Sequence, residues 1–304
     1  MRPTQCWADL VRLLIAICSF FVMLGFSACE KDDPSGGSNV TAESIWVSPT
    51  IDTLDIGITR TYSAWQIMSN NLDTLAAHVE WSLVGFPVGT IVAETDSTVE
   101  LLAQAFGDAI LVAQQDALID TAFLHIRWPS PFHVFNDEGF RGFAGTYHGS
   151  NDQIEMAMMT AIDAPEGQLV LQADFTVTEQ GWVGLYVEEG GAGGSEVVNL
   201  EDFLPQGHLR FSYRTYIDLQ IGVRADNISA GSEASKLWLC EDAGGVNDGA
   251  WHDISIPLSE FWNRQQASRF DRMEVLLSVS ILGEALGEGR SGSFWIDNVR
   301  WSRD

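Results

Sequence analysis

The sequence predicts an all-β protein in which two β-sandwiches follow one another, and three observations carry the prediction. Short β-rich segments separated by turn residues recur from Glu43 to about Pro129. From Phe132 to Asp304 apolar and polar residues again alternate, as in Leu169, Leu171, Ala173 and Phe175 or Leu219, Ile221 and Val223, and a period of two means strands with one buried face. Between the two stretches, Pro129-Ser130-Pro131 removes two backbone donors and stiffens the chain, which marks a boundary.

The N-terminus is of another kind. Arg2 and Arg12 flank a short polar stretch, and an uncharged apolar run follows from Leu13 to Phe26. At about 14 residues the run falls short of the roughly 20 that a helix needs to cross a bilayer core, so it reads as a secretion signal. Leu24-Gly25-Phe26-Ser27-Ala28-Cys29 then places small residues directly before a cysteine. This resembles the lipobox of bacterial lipoprotein precursors, which implies removal of residues 1–28, acylation of Cys29 and attachment to a membrane through the lipid. The other reading is an ordinary signal peptide with an incidental cysteine. Residues 29–42, with Glu30-Lys31-Asp32-Asp33 and Pro34-Ser35-Gly36-Gly37-Ser38, are too poor in apolar side chains to bury anything and read as a flexible tether. Their acidic run resembles the export signal of some Gram-negative lipoproteins, so the expected location is the outer membrane, facing the cell exterior.

Composition narrows the partners. Removal of Arg2, Arg12 and Asp9 takes the formal charge from −26 to −27, and Lys31 and Lys236 are the only lysines. Nucleic acid and anionic headgroups are poor partners for such a field, whereas a neutral ligand, a cation or a basic partner is compatible with it. Calcium is the obvious cation. Cys6 and Cys18 leave with the signal and Cys29 would be acylated, so Cys240 remains alone and no internal disulfide can form.

Residues 43–129 offer strands at Ser44–Ser48, Thr59–Ile67, Ala77–Leu83, Thr90–Ala93, Ser97–Ala103, Ala109–Gln114 and Thr121–Trp128. Short strands at this regular spacing argue for a sandwich. The succession Val-Ser-Pro, Leu-Asp-Ile-Gly, Val-Glu-Trp-Ser, Gly-Thr-Ile-Val and Phe-Gly-Asp-Ala resembles bacterial immunoglobulin-like modules of the intimin and surface-adhesin type. The resemblance implies a structural spacer with Trp81 as its buried core tryptophan.

Residues 130–304 carry the more specific pattern. Its pieces are Val134-Phe135-Asn136-Asp137-Glu138, Gly207-His208-Leu209-Arg210-Phe211-Ser212-Tyr213, Leu219-Gln220-Ile221-Gly222-Val223, Asn247-Asp248-Gly249-Ala250-Trp251-His252-Asp253-Ile254-Ser255-Ile256-Pro257-Leu258 and Phe294-Trp295-Ile296-Asp297-Asn298-Val299. In that order they resemble the jelly-roll, galactose-binding-like carbohydrate-binding modules of secreted glycanases and glycan-uptake lipoproteins. The fold expected is therefore all-β, an N-terminal immunoglobulin-like β-sandwich followed by a C-terminal jelly-roll β-sandwich. Trp251 would pack at a strand start and Pro257 would sit at a sheet edge, where a missing donor is tolerated. In many such modules a structural calcium ion ties the first strand to the last. The resemblance implies Asp297 and Glu138 as its ligands, with Asp137 in reserve and Asn136 beside them; alternatively Asp297 merely caps a turn.

Sugar rings present flat C–H faces beside hydroxyls, so glycan sites combine exposed aromatic platforms with a few planar hydrogen-bonding side chains. Trp182 and Tyr186 share one parity of a strand whose other parity, Val183, Leu185 and Val187, is apolar. Gln220 and Arg224 stand opposite Leu219, Ile221 and Val223, and Trp238 alternates with Leu237 and Leu239. A cleft lined by Trp182, Tyr186, Gln220, Arg224 and Trp238 is the functional expectation; the alternative places the tryptophans in the core. Arg210, Arg214 and Arg224 could grip sugar hydroxyls or a carboxylate, or simply pair with surface acids.

No G-x-S-x-G, H-E-x-x-H, P-loop or C-x-x-C occurs, the six histidines lack zinc spacing, and Glu196 spoils the glycine run Gly190-Gly191-Ala192-Gly193-Gly194 as a phosphate loop. The expectation is a non-catalytic cell-surface lipoprotein that captures a polysaccharide for neighbouring glycan-uptake proteins. Two alternatives stand beside it: an adhesion or assembly protein that binds a protein partner, and a glycoside hydrolase with carboxylates paired in space.

Overall fold

The computed structural model describes residues 40–190, 196–225, 235–264, 270–286 and 290–304, with backbone only at 262–264. The signal segment, Cys29 and the acidic run after it lie outside the described residues. Among the described residues no helix is long and apolar enough to cross a membrane.

The first sandwich is made of β1 (Ala42–Ser48), β2 (Ile51–Asp55), β3 (Thr59–Met68), β4 (Asp73–Leu75), β5 (Glu80–Gly85), β6 (Gly89–Glu94), β7 (Thr98–Ala103), β8 (Gly107–Gln115) and β9 (Leu118–Arg127). One sheet runs β1-β3-β7-β6 with β4 beside β3, the other β2-β9-β8-β5. Leaving out β2 and β4, these are strands A-B-E-D against C-F-G, the constant-type immunoglobulin order. Alternation decides which side chains meet between the sheets: Val47, Tyr62, Ala64, Leu101, Leu111 and Leu124 are fully buried, and Trp81 keeps 8% of its surface. The seven expected strands are present with ends moved by a few residues, and the third begins at Glu80 rather than Ala77. Two further strands were not expected. β4 buries none of its residues, and β2 buries only Leu54, pairing parallel to β9, so neither has the alternation by which a strand is recognised.

The second sandwich contains β10 (Phe132–Asn136), β11 (Gly139–Phe140), β12 (Phe143–His148), β13 (Gln153–Thr160), β14 (Leu169–Val177), β15 (Trp182–Glu188), β16 (His208–Arg214), β17 (Gln220–Ala225), β18 (Ser235–Trp238), β19 (Trp251–Pro257), β20 (Met273–Leu282) and β21 (Arg290–Ser302). The 13-residue β21 organises one sheet. It pairs with β14 in its first half, β10 in its second, and β16 along the other edge. β19 pairs with β16, and Pro257 lies exposed at its end. The other sheet is ordered β12-β15-β20-β17-β18. Between the two lies a core that includes Phe135, Leu185, Phe211, Ile221, Val279, Phe294 and Trp301. Trp301 is fully buried and donates its indole N–H to the Leu276 carbonyl at 3.2 Å, which satisfies the one polar atom of a large apolar side chain.

The sandwiches, whose cores are separate, touch through charged groups. His125 on β9 sits 2.7 Å from Asp108 on β8 and 3.1 Å from Asp202 of the second sandwich. Arg303 donates to the Trp128 carbonyl at 2.6 Å and lies over the Phe203 ring. Arg141 stacks on Trp128 and Phe132 while its guanidinium makes a two-pronged pair with Glu189 at 3.0 and 3.1 Å.

Candidate functional site

The outward face of the β12-β15-β20-β17-β18 sheet collects the five ligand-binding candidates. Strand register sets them in rows. One row reads Tyr147, Gly184, Ser280, Gln220, Trp238 and the next Gly145, Tyr186, Ser278, Gly222, Lys236, each across five strands; Trp182 stands one step beyond the first row, opposite Leu282. Trp182 and Tyr186 therefore face the same side as Gln220, Arg224 and Trp238, while Val183, Leu185 and Val187 fill the core.

Small residues make the floor of this face and large ones lie over it. A Cβ at Gly145 would stand 2.6 Å from the Tyr186 ring, and one at Gly184 would run into the Tyr147 ring. Glycine inside a strand often marks such a close approach. The rings that fill the space form a continuous aromatic surface: Tyr147 lies 5.5 Å from Trp182 and 6.1 Å from Tyr186, and Phe143 lies 6.3 Å from Tyr186, all at tilted angles. Trp182 is the most open of them, 43% exposed.

Polar groups line the same floor. The Tyr147 hydroxyl and Ser280 Oγ are 2.6 Å apart. Burial pushes the phenols of Tyr147 and Tyr186 above their ordinary range, so both remain neutral donors near pH 7. Arg224 pairs with Glu274 at 3.2 Å, yet its Nε is buried and without a hydrogen-bond partner among the described residues. Ser278, 4% exposed, likewise has an unpartnered Oγ. Ser278 Oγ and Arg224 Nε lie beneath the aromatic surface, while the Arg224 side chain as a whole is 40% exposed and offers its guanidinium to the face.

Asp152 fixes the end of the platform. It accepts the Thr178 amide at 2.7 Å and hydroxyl at 2.9 Å on one oxygen and the Trp182 amide at 3.1 Å on the other, which anchors the first residue of β15. The Thr178 amide, outweighing the cost of burial, holds its carboxyl below the ordinary range.

The expected calcium ligands are arranged differently. Asp297, fully buried, accepts the amides of Glu166 at 3.0 Å and Asn298 at 2.7 Å. Exposed Asp137 accepts those of Gln168 and Leu169 at 3.0 and 2.9 Å, and the side chain of Asn136 accepts the Glu138 amide at 2.9 Å. Both aspartates thus clamp the 166–169 loop. Among the described residues no three acidic, histidine or cysteine side chains gather into a metal-holding group.

The structure adds Tyr147, Phe143, Ser278 and Ser280 to the face. Their sequence signals are the alternation Phe143-Gly145-Tyr147 and a pair of serines two apart inside the apolar run of β20. Of the arginines, Arg214 pairs with Asp163 at 3.2 Å and lies over Trp295, on the other sheet.

Residues 132–303 match the family described as carbohydrate binding domain 30. The chain belongs to that family. Among solved structures, this carbohydrate-binding domain is similar to the family 30 module of the cellulosomal cellulase Cel9D-Cel44B of Clostridium thermocellum, at 16% identity and a TM-score of 0.44, over 57% of this chain and 98% of that one. It is also similar to the family 11 module of the cellulosomal cellulase Lic26A-Cel5E of Clostridium thermocellum, at 15% identity and a TM-score of 0.37, over 58% of this chain and 96% of that one. No curated protein matches the chain. The assignment of the carbohydrate-binding domain to family 30 rests on the sequence match.

Proposed function

We propose that this is a non-catalytic cell-surface lipoprotein whose second sandwich captures a polysaccharide on the β12-β15-β20-β17-β18 face. The observation that carries the reading is the aromatic surface of Tyr147, Trp182 and Tyr186 on the face that also holds Gln220 and the 40%-exposed Arg224 side chain. Apolar sugar faces stack on the rings, and sugar hydroxyls bond to the polar ends of Gln220 and Arg224. The acids there have other partners: Glu274 holds Arg224, and Glu188 is buried. In this account Cys29 is the lipid anchor in the outer membrane, the first sandwich is an immunoglobulin-like spacer, and the captured glycan passes to neighbouring uptake proteins.

Affinity electrophoresis of the full chain in non-ionic detergent, against neutral and acidic polysaccharides, tests the reading. Retardation by a glycan that Trp182→Ala or Trp238→Ala removes would support it; mobility unchanged by every glycan would overturn it. Calcium remains a proposal resting on Asp137 and Asp297 sharing one loop: a melting temperature raised by Ca2+ and lowered again by chelator supports it, and an unchanged one removes it. A second reading, an assembly protein, draws on the apolar row Ile51, Phe123, Ile110 and Val84 across the outer face of β2-β9-β8-β5, where Ile51 is 73% exposed.

A further inference from the structure

The outer face of the first sandwich carries an aromatic pair that neither its core nor a spacer role uses. Trp46 on β1 and Trp65 on β3 are direct cross-strand partners, stacked with ring centroids 5.9 Å apart and planes 17° apart, and Trp46 is 37% exposed. Their neighbours on the inner parity, Ile45, Val47, Tyr62 and Ala64, already fill the core. The next residue in the row is Leu75, and beside the row lies a line of three hydroxyls, Ser48, Ser63 and Thr98.

In a chain with 42 acidic residues, the acids bordering the Trp row are Asp73 at one edge and, at the other, Asp120, whose carboxylate is held by the Val47 amide at 2.7 Å. Paired aromatic rings beside a hydroxyl line are shared with the face on the second sandwich, without the Arg224, Glu274 and Lys236 that the latter carries. We propose that Trp46 and Trp65 form a second carbohydrate-binding platform, which takes the apolar face of a pyranose in a neutral polysaccharide, with Ser48 and Ser63 offering hydroxyl contacts. The choice of a glycan rests on the reading of the second sandwich; the location does not. Two platforms that reach one long polymer together would gain affinity over either alone by about 100-fold or more.

The experiment compares the full chain, a Trp46→Ala/Trp65→Ala variant, a Trp182→Ala/Trp238→Ala variant and the combination of all four changes. Each is measured against the retarding polysaccharide and a short oligosaccharide cut from it, with melting temperature recorded to verify folding. Loss of Trp46 and Trp65 is expected to weaken polysaccharide binding about tenfold or more while leaving oligosaccharide binding at the second sandwich unchanged. The Trp182→Ala/Trp238→Ala variant is expected to keep a weak retardation that the combined variant lacks, and Trp46→Phe/Trp65→Phe to retain most of it. Binding unaffected by Trp46→Ala/Trp65→Ala, together with none left in Trp182→Ala/Trp238→Ala, overturns this inference and leaves the proposed function standing. A dimer in sedimentation that Trp46→Ala/Trp65→Ala dissolves would make the face an interface between copies and overturn it too. If the unmodified chain binds no polysaccharide, the proposed function fails, and the platform falls with it.

Discussion

At the level of single residues, the binding face depends as much on what is missing as on its aromatic rings. Gly145 and Gly184 are the space into which Tyr186 and Tyr147 lie down. The atoms nearest a methyl group at 145 belong to side chains, the rings of Tyr186 and Phe143, so the rings can give way while the strand holds. Gly145→Ala is therefore expected to lower glycan affinity about threefold to tenfold with a melting temperature within a few degrees of the parent, as calorimetric titration and a thermal scan would show. Trp182→Ala removes the open end of the platform and is expected to cost about 1–2 kcal/mol, roughly fivefold to thirtyfold in Kd; equal affinity in that variant would place the ligand elsewhere. Trp182, Tyr186, Gln220, Arg224 and Trp238 could be read from parity because their strands alternate clearly. Ser278 and Ser280 could not be, because a central strand reading Val-Leu-Leu-Ser-Val-Ser-Ile-Leu looks apolar throughout.

At the level of elements, turns and loops decide how the strands present these residues. Asp152, 3% exposed, ties the start of β15 to Thr178. Asp152→Asn keeps the shape but loses the charge and cannot accept all three bonds in the same way; a loss of about 1–3 kcal/mol in denaturant unfolding is expected, with weaker glycan binding as Trp182 loosens. Because its carboxyl is held below the ordinary value, its contribution is present above the unfolded pKa and is lost as pH falls through the folded one. Asp137 and Asp297 show the limit of sequence here: both acids can be picked out, but the amides of residues 166, 168 and 169 that they accept lie about 30 and 130 positions away. Strands β2 and β4 escaped notice for a local reason, since short strands that bury one residue or none carry no periodic signal.

Across the whole molecule, one of the groups that join the two sandwiches titrates. Burial works against a charge on His125, but its hydrogen bond to Asp108 and the pull of Asp202 outweigh this and raise its pKa above the ordinary 6.5. The stabilisation is therefore fully present below the unfolded value and is lost as pH rises through the folded one. The stability gap between the parent and His125→Gln, on the order of 1 kcal/mol, is expected to close with rising pH in unfolding measured from pH 5 to 9; a constant gap would mean that His125 acts by packing alone. The succession of two sandwiches was legible because alternation and the Pro-Ser-Pro break are chain-local, whereas the His125–Asp202 contact spans 77 positions and has no local signature. The central claim concerns the aromatic face, and the most direct measurement is a crystal structure of the chain with an oligosaccharide of the retarding glycan. The expected result is a sugar ring on Tyr147 and Trp182 with hydroxyls on Gln220 and the Arg224 guanidinium; a well-ordered oligosaccharide bound elsewhere, with this face bare, would contradict it.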